Sequence, residues 1–179
     1  MEFLDFSNLV MQRQSCRSFA KKEISSDVLE KIVNLARFAP SACNSQPWKM
    51  YCVSNTAIRE KVANALQEGG RNLFVSNASA FIVLCETTGI TNASVLERFA
   101  SKHFVQYDIG QLTAYITLTA KSLGVDSCII GWINRTKLKE AVGYSDEENC
   151  NIVVALGYAD CSLREKSRKQ IDNIAKYIK

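Results

Sequence analysis

The chain contains only two prolines, Pro40 and Pro47, and both fall in one short segment, Ala39-Pro40-Ser41-Ala42-Cys43-Asn44-Ser45-Gln46-Pro47-Trp48. Proline fixes its own φ and pushes its predecessor out of the helical region. Ala39 is therefore expected to end a helix, and Gln46 to be extended. Between the prolines, Ser41, Asn44, Ser45 and Gln46 offer hydroxyls and amides but no charge. Such a loop suits a neutral, heteroatom-rich planar ligand, and on its own it equally suits an ordinary helix-to-strand connection.

A length of 179 residues fits one domain, 1–179, with enough core to fold without disulfides or metals. The net charge of +4 is too small and too dispersed to point to nucleic acid. The opening Met1-Glu2-Phe3-Leu4-Asp5-Phe6 is acidic where a secretory signal would be basic, which points to the cytoplasm. Seven cysteines, at 16, 43, 52, 85, 128, 150 and 161, form no C-x-x-C pair and match neither a disulfide framework nor a zinc site. Cys52, Cys85 and Cys128 lie in apolar runs and are expected to be small buried hydrophobes. His103 is the only histidine, so a Ser-His-Asp mechanism has almost nothing to draw on.

Periodicity predicts a helix over 2–14 and a second one capped by Ser25 or Ser26, with Val28, Ile32, Leu35, Ala36 and Ala39 as its core stripe. Strands are expected over 48–53, 80–85, 127–132 and 151–156, and helices over 57–67 and 170–178. Residues 104–123 carry only two charges, Asp108 and Lys121, and too many polar groups for a bilayer. They read as a helix buried nearly all round, which implies cover from a second subunit. The sum is α+β, a central sheet flanked by helices.

Arg13-Gln14-Ser15-Cys16-Arg17 places two arginines four residues apart around a serine, and Lys166-Ser167-Arg168-Lys169 repeats that chemistry near the other end. Guanidinium forks match phosphate oxygens and keep their charge. Each cluster alone is better explained by a solvated charged surface.

Taken in order, these segments resemble the nitroreductase family of FMN-dependent oxidoreductases. The family's R-x-S-x-R-x-[FY] opening is matched by Arg13, Ser15, Arg17 and Phe19, and its A-P-S-x-x-N-x-Q-P-W loop by residues 39–48. Asp108-Ile109-Gly110, Leu123-Gly124, Ser127 to Gly131, Ala155-Leu156-Gly157-Tyr158 and the K-x-R-K run at 166–169 look like its remaining landmarks. The resemblance implies a nitroreductase-like fold with a central mixed sheet, an intertwined homodimer and FMN at its interface. It assigns Arg13, Gln14, Ser15, Lys166, Arg168 and Lys169 to the flavin phosphate and ribityl chain and Arg17 to the pyrimidine edge. Pro40, Ser41, Ala42, Asn44 and Gln46 would come from the partner subunit. Ile130 and Gly131 would present backbone N–H groups to the ring, and Asn72 matches a ring-facing asparagine or a simple turn residue.

On that resemblance the chemistry belongs to the flavin, so no side chain is assigned as catalytic and no metal is expected. NADH or NADPH would reduce the flavin, and nitroaromatics, quinones or related small molecules would accept the electrons in a ping-pong scheme. Specificity is expected in the segment from about Gly89 to Phe104, which shows no strong pattern. Two other readings are a flavin-binding or sensing protein with little turnover and a flavin-dependent dehydrogenase of the same fold. Neither nucleic acid nor a membrane is an expected partner.

Overall fold

The computed structural model describes residues 3–89 and 104–179. Among the described residues four strands form one sheet in the order β1-β2-β4-β3, with β1 at Trp48–Val53, β2 at Ala80–Glu86, β3 at Asp126–Ile130 and β4 at Asn149–Gly157. All neighbouring strands pair antiparallel, where a mixed sheet was expected; among the described residues the parallel element is a bridge, Ser15↔Ser127, outside the named strands.

The sheet is covered on both faces, and strand periodicity shows how. In β2, Phe81, Val83 and Cys85 enter one core cluster while Ala80, Ile82 and Leu84 enter the other. Alternate side chains of a strand point to opposite faces, so an unbroken apolar run signals cover on both sides. Helix α3 (Thr56–Leu66) and helix α5 (Arg135–Val142) supply Val62, Leu66 and Leu138 to the first face. Helix α2 (Ser26–Ala36) supplies Leu29, Ile32 and Ala36 to the second, and helix α4 (Phe104–Ser122) supplies Ile109, Leu112, Ile116 and Ala120. Helix α1 (Phe3–Gln12) packs beside α4.

Side-chain caps set three of the helix starts. Ser25 accepts from the Val28 N–H at 3.4 Å, Asn55 from Ile58 at 3.2 Å and Asn134 from Lys137 at 3.0 Å. Gly143, at φ 77°, ends α5 in the left-handed conformation.

Several expectations are corrected. Helix α2 buries Leu29 rather than Leu35, which is exposed, because the buried line runs at 29, 32 and 36. Cys85 and Cys128 are buried, but Cys52 is exposed on β1, an edge strand. Helix α4 is not buried all round in one chain: Tyr107 is 66% exposed and Tyr115 42%. Over 170–178 only a 3-10 turn, Ile171–Asn173, forms. Ile174, Tyr177 and Ile178 remain exposed, and a short helix with no surface to pack on is marginal. His103 and most of the expected specificity segment lie outside the described residues. No described helix is long and apolar enough to cross a membrane.

Candidate functional site

The two basic clusters, 150 residues apart in sequence, meet in space. The last turn of α1 closes with Arg13 N–H donating to Leu9 C=O. The chain then lies along β3, where Cys16 N–H donates to Ser127 C=O at 2.9 Å. Phe19, almost fully buried, anchors this segment against Gly157 at the end of β4. A Cβ at Gly157 would stand 2.7 Å from the Phe19 ring, so the close approach needs glycine.

Beyond β4 the chain returns as a strap antiparallel to this segment. Ala20 N–H donates to Tyr158 C=O at 2.8 Å and Asp160 N–H to Ser18 C=O at 2.9 Å. Gln14, itself buried, donates through Nε2 to Ser162 C=O at 3.2 Å and accepts from Arg164 N–H at 3.1 Å. Arg164 Nη2 donates to Ser15 C=O at 2.8 Å. These bonds enclose a cleft of about 270 Å³ between Arg13, Gln14, Ser15 and Arg17 on one wall and Arg164 to Arg168 on the other.

The cleft is electropositive. Five cations line it against one acid, Glu165. The Lys166 Nζ is shielded from solvent and has no hydrogen-bond partner among the described residues. Burial holds its pKa below the ordinary lysine value, and the positive fields of Arg13, Arg168 and Lys121 lower it further. Lys121 is itself neutralised by Asp126 at 2.9 Å. A buried unpaired ammonium among guanidiniums is costly unless an anion joins it. A phosphate fits that requirement in charge and in the number of its acceptor oxygens.

The proline loop is held in strain. Cys43, Asn44 and Gln46 have φ of 52°, 51° and 46°, a region that non-glycine residues visit at a cost of roughly 1 kcal/mol or more each. Gln46 is thus not extended as expected: it avoids the right-handed helical region, which Pro47 disfavours, by turning to positive φ. Ser41 Oγ accepts the Gln46 N–H at 2.9 Å, and Gln46 Nε2 donates to Asn44 C=O at 3.2 Å. Asp108, from α4, accepts the Ala42 N–H at 3.1 Å. The other Asp108 oxygen and Ser45 Oγ are buried and unpartnered among the described residues. Pro40, Asn44 and Gln46 stay exposed.

A third group surrounds the end of β3. Ile130 is buried in the core and Gly131 is exposed. Trp132 follows, donating through Nε1 to Glu68 C=O at 3.0 Å, with the Arg71 guanidinium 4.4 Å from its ring centroid. Asn72, at φ 52°, donates to Leu66 C=O at 3.0 Å and starts the 3-10 turn Leu73–Asn77, which is a turn role.

Of the residues singled out in the sequence, the structure gathers Arg13, Gln14, Ser15, Arg17, Lys166 and Arg168 in one cleft. Lys169 is exposed and does not line it. Ser127 on β3 ties the cleft to Ile130 and Gly131, about 10 and about 13 Å further along at strand spacing. The loop residues Pro40, Ser41, Ala42, Asn44 and Gln46 do not line this cleft within one chain. Arg164 went unrecognised in the sequence, where it reads as one more charge in a basic tail; its signal is a backbone pairing that only the fold creates.

The sequence matches the Nitroreductase family over residues 10–158. The chain belongs to the nitroreductase family. Among its nitroreductase-family relatives is a protein of Archaeoglobus fulgidus whose name pairs NADH dehydrogenase with NAD(P)H nitroreductase. It is 32% identical over 154 residues, covering 84% of this chain and 83% of that protein. The oxygen-insensitive NADPH nitroreductase of Helicobacter pylori strain J99 is 28% identical, with 94% of this chain and 96% of that one covered. In fold, the chain is similar to a nitroreductase-like protein from Streptococcus mutans, with a TM-score of 0.83, 19% identity and 98% of each chain covered. Both nitroreductase-family landmarks that the sequence shows most clearly, 13–19 and 39–48, fall inside the matched span.

Proposed function

We propose that this chain is an NAD(P)H-dependent FMN oxidoreductase that reduces nitroaromatic, quinone or related small-molecule acceptors. The observation that carries the reading is the shielded Lys166 ammonium, which has no hydrogen-bond partner among the described residues and lies in the field of Arg13 and Arg168. Arg13, Ser15, Lys166 and Arg168 would hold the flavin phosphate. Gln14 and Arg164 position that wall, because each fixes the other's segment. Arg17 contributes a permanent positive charge beside the phosphate wall. FMN held there would supply the hydride and electron transfer between NADH or NADPH and the acceptor.

The same reading assigns the strained proline loop and the α4 face to a homodimer. Tyr107 and Tyr115 on α4, with Ile174, Tyr177 and Ile178 beyond the sheet, are apolar groups left uncovered by their own chain. A second copy would cover them and bring the 40–46 loop to the neighbouring cleft. NAD(P)H oxidation by the purified protein, with and without a nitroaromatic or quinone, tests the function. Acceptor-dependent oxidation supports it; flavin binding without turnover would favour a sensing protein instead.

A further inference from the structure

We propose that Arg71 and Trp132 form a recognition platform for anionic aromatic acceptors: the exposed indole stacks the acceptor ring, and the Arg71 guanidinium holds a carboxylate or sulfonate that the ring carries. That the bound ring is the one reduced rests on the flavin reading above, because Gly131, assigned to the flavin ring by the family resemblance, immediately precedes Trp132. The binding of an aromatic anion by the pair does not.

Both side chains are presented by tightly held turns. Trp132 stands two residues past β3 and donates through Nε1 to Glu68 C=O at 3.0 Å, which fixes the orientation of the indole while 51% of the residue stays exposed. Asn134 donates through Nδ2 to Glu68 Oε1 at 2.6 Å and through its N–H to Ala65 C=O at 2.9 Å, so the segment after β3 is tied to the end of α3. On the other side the chain turns through Gly69 and Gly70, at φ 69° and 73°, and is closed by Asn72 Nδ2 donating to Leu66 C=O at 3.0 Å. This turn carries Arg71 onto the indole, with the guanidinium carbon 4.4 Å from the ring centroid. Arg71 is itself exposed.

What the pair lacks is an acid. Among the described residues Arg71 forms no ion pair, and Glu68, three residues before it, is taken up by Asn134 and Lys137 instead. Stacking uses the face of a guanidinium and leaves its N–H edge free, and a planar carboxylate matches that edge two bonds at a time. A flat ring joined to the carboxylate gains contact with the exposed indole as well. Because the indole is already oriented by its bond to Glu68, little ordering remains to be done when a ligand arrives. An uncharged nitroaromatic gains the stacking alone, so the pair discriminates by charge. The phosphate cleft does not compete for this ligand by sharing residues, since neither Arg71 nor Trp132 lines it.

The test titrates para-nitrobenzoate and nitrobenzene into the purified protein by calorimetry, with no NAD(P)H present, and then measures turnover of both. Both side chains are exposed, so Arg71→Gln and Trp132→Ala should stay folded, which a thermal melt checks. Arg71→Gln should weaken para-nitrobenzoate binding relative to nitrobenzene by about fivefold, as for one exposed charge-assisted contact. In turnover the same variant should lose its preference for para-nitrobenzoate through KM rather than kcat. Trp132→Ala should weaken both ligands, because it removes the stacking surface. Equal affinities in wild type and Arg71→Gln, or an equal loss for both ligands, would overturn the anion contact, and undiminished binding in Trp132→Ala would overturn the stacking. A KM rise confined to NADPH would assign Arg71 to the electron donor and overturn the proposal. Discrimination in the titration by a protein with no NAD(P)H turnover would support the aromatic-anion site while counting against the flavin reading.

Discussion

Replacing Lys166 with Met keeps the length of the side chain and removes its charge, and the structure predicts opposite signs for its two effects. Among the described residues the Lys166 ammonium has no hydrogen-bond partner, and it lies in the field of Arg13, Arg168 and Lys121. Removing it relieves that repulsion, so the thermal midpoint of flavin-free protein should stay level or rise. With FMN present, the variant loses one charge-assisted hydrogen bond, on the order of 1.5–3 kcal/mol. At about 1.4 kcal/mol per tenfold, FMN affinity should fall between roughly 10-fold and 150-fold. Riboflavin, which lacks the phosphate, should bind both forms alike. Fluorescence titration of each flavin into flavin-free protein, alongside thermal melts, measures all three quantities. Equal FMN affinity in wild type and Lys166→Met would refute the phosphate assignment, and an equal loss for riboflavin would show that the change acts through general damage.

Other consequences follow from the same contacts. Gly157→Ala places a Cβ 2.7 Å from the Phe19 ring and should cost about 1–3 kcal/mol in urea unfolding, with FMN affinity falling too because Phe19 anchors the cleft wall. Ile116 is fully buried in its own chain, so Ile116→Ala should cost about 2–5 kcal/mol of stability. Tyr115→Asp, on the exposed face of α4, should give a folded monomer by light scattering, and a stable dimer would remove α4 from the interface. FMN affinity should fall as pH drops below about 6, where a phosphate monoester takes up its second proton. It should fall again on the alkaline side. The lowered pKa of Lys166 means that its charged form, which the phosphate favours, is lost at lower pH than in an ordinary lysine. Lys166→Met should abolish the alkaline limb, and a limb unchanged in that variant would contradict the assignment.

What the sequence revealed follows the reach of each physical signal. Residues 80–85 read as a buried strand because an unbroken apolar run needs cover on both faces, and the cores on either side of β2 supply it. Ser25 announced the start of α2 through a local bond to Val28. Gln46 was misread because the proline rule speaks only against the right-handed helical region, while Ser41 and Asn44 hold the residue at positive φ. The segment 170–178 has a helical pattern, but its apolar residues find no surface in one chain, and pattern alone does not sustain a short helix. In the site, Arg13, Arg17, Lys166 and Arg168 were visible as charges of the right type. Arg164 was not, because its partners are Gln14 and the Ser15 carbonyl, 149 and more residues away, and no local pattern encodes that pairing.

The central claim is that the basic cleft holds the phosphate of FMN. Freshly purified protein should show the two visible bands of an oxidised flavin, and the chromophore released on denaturation should co-elute with FMN rather than riboflavin or FAD. A colourless protein that also fails to take up added FMN would contradict the account.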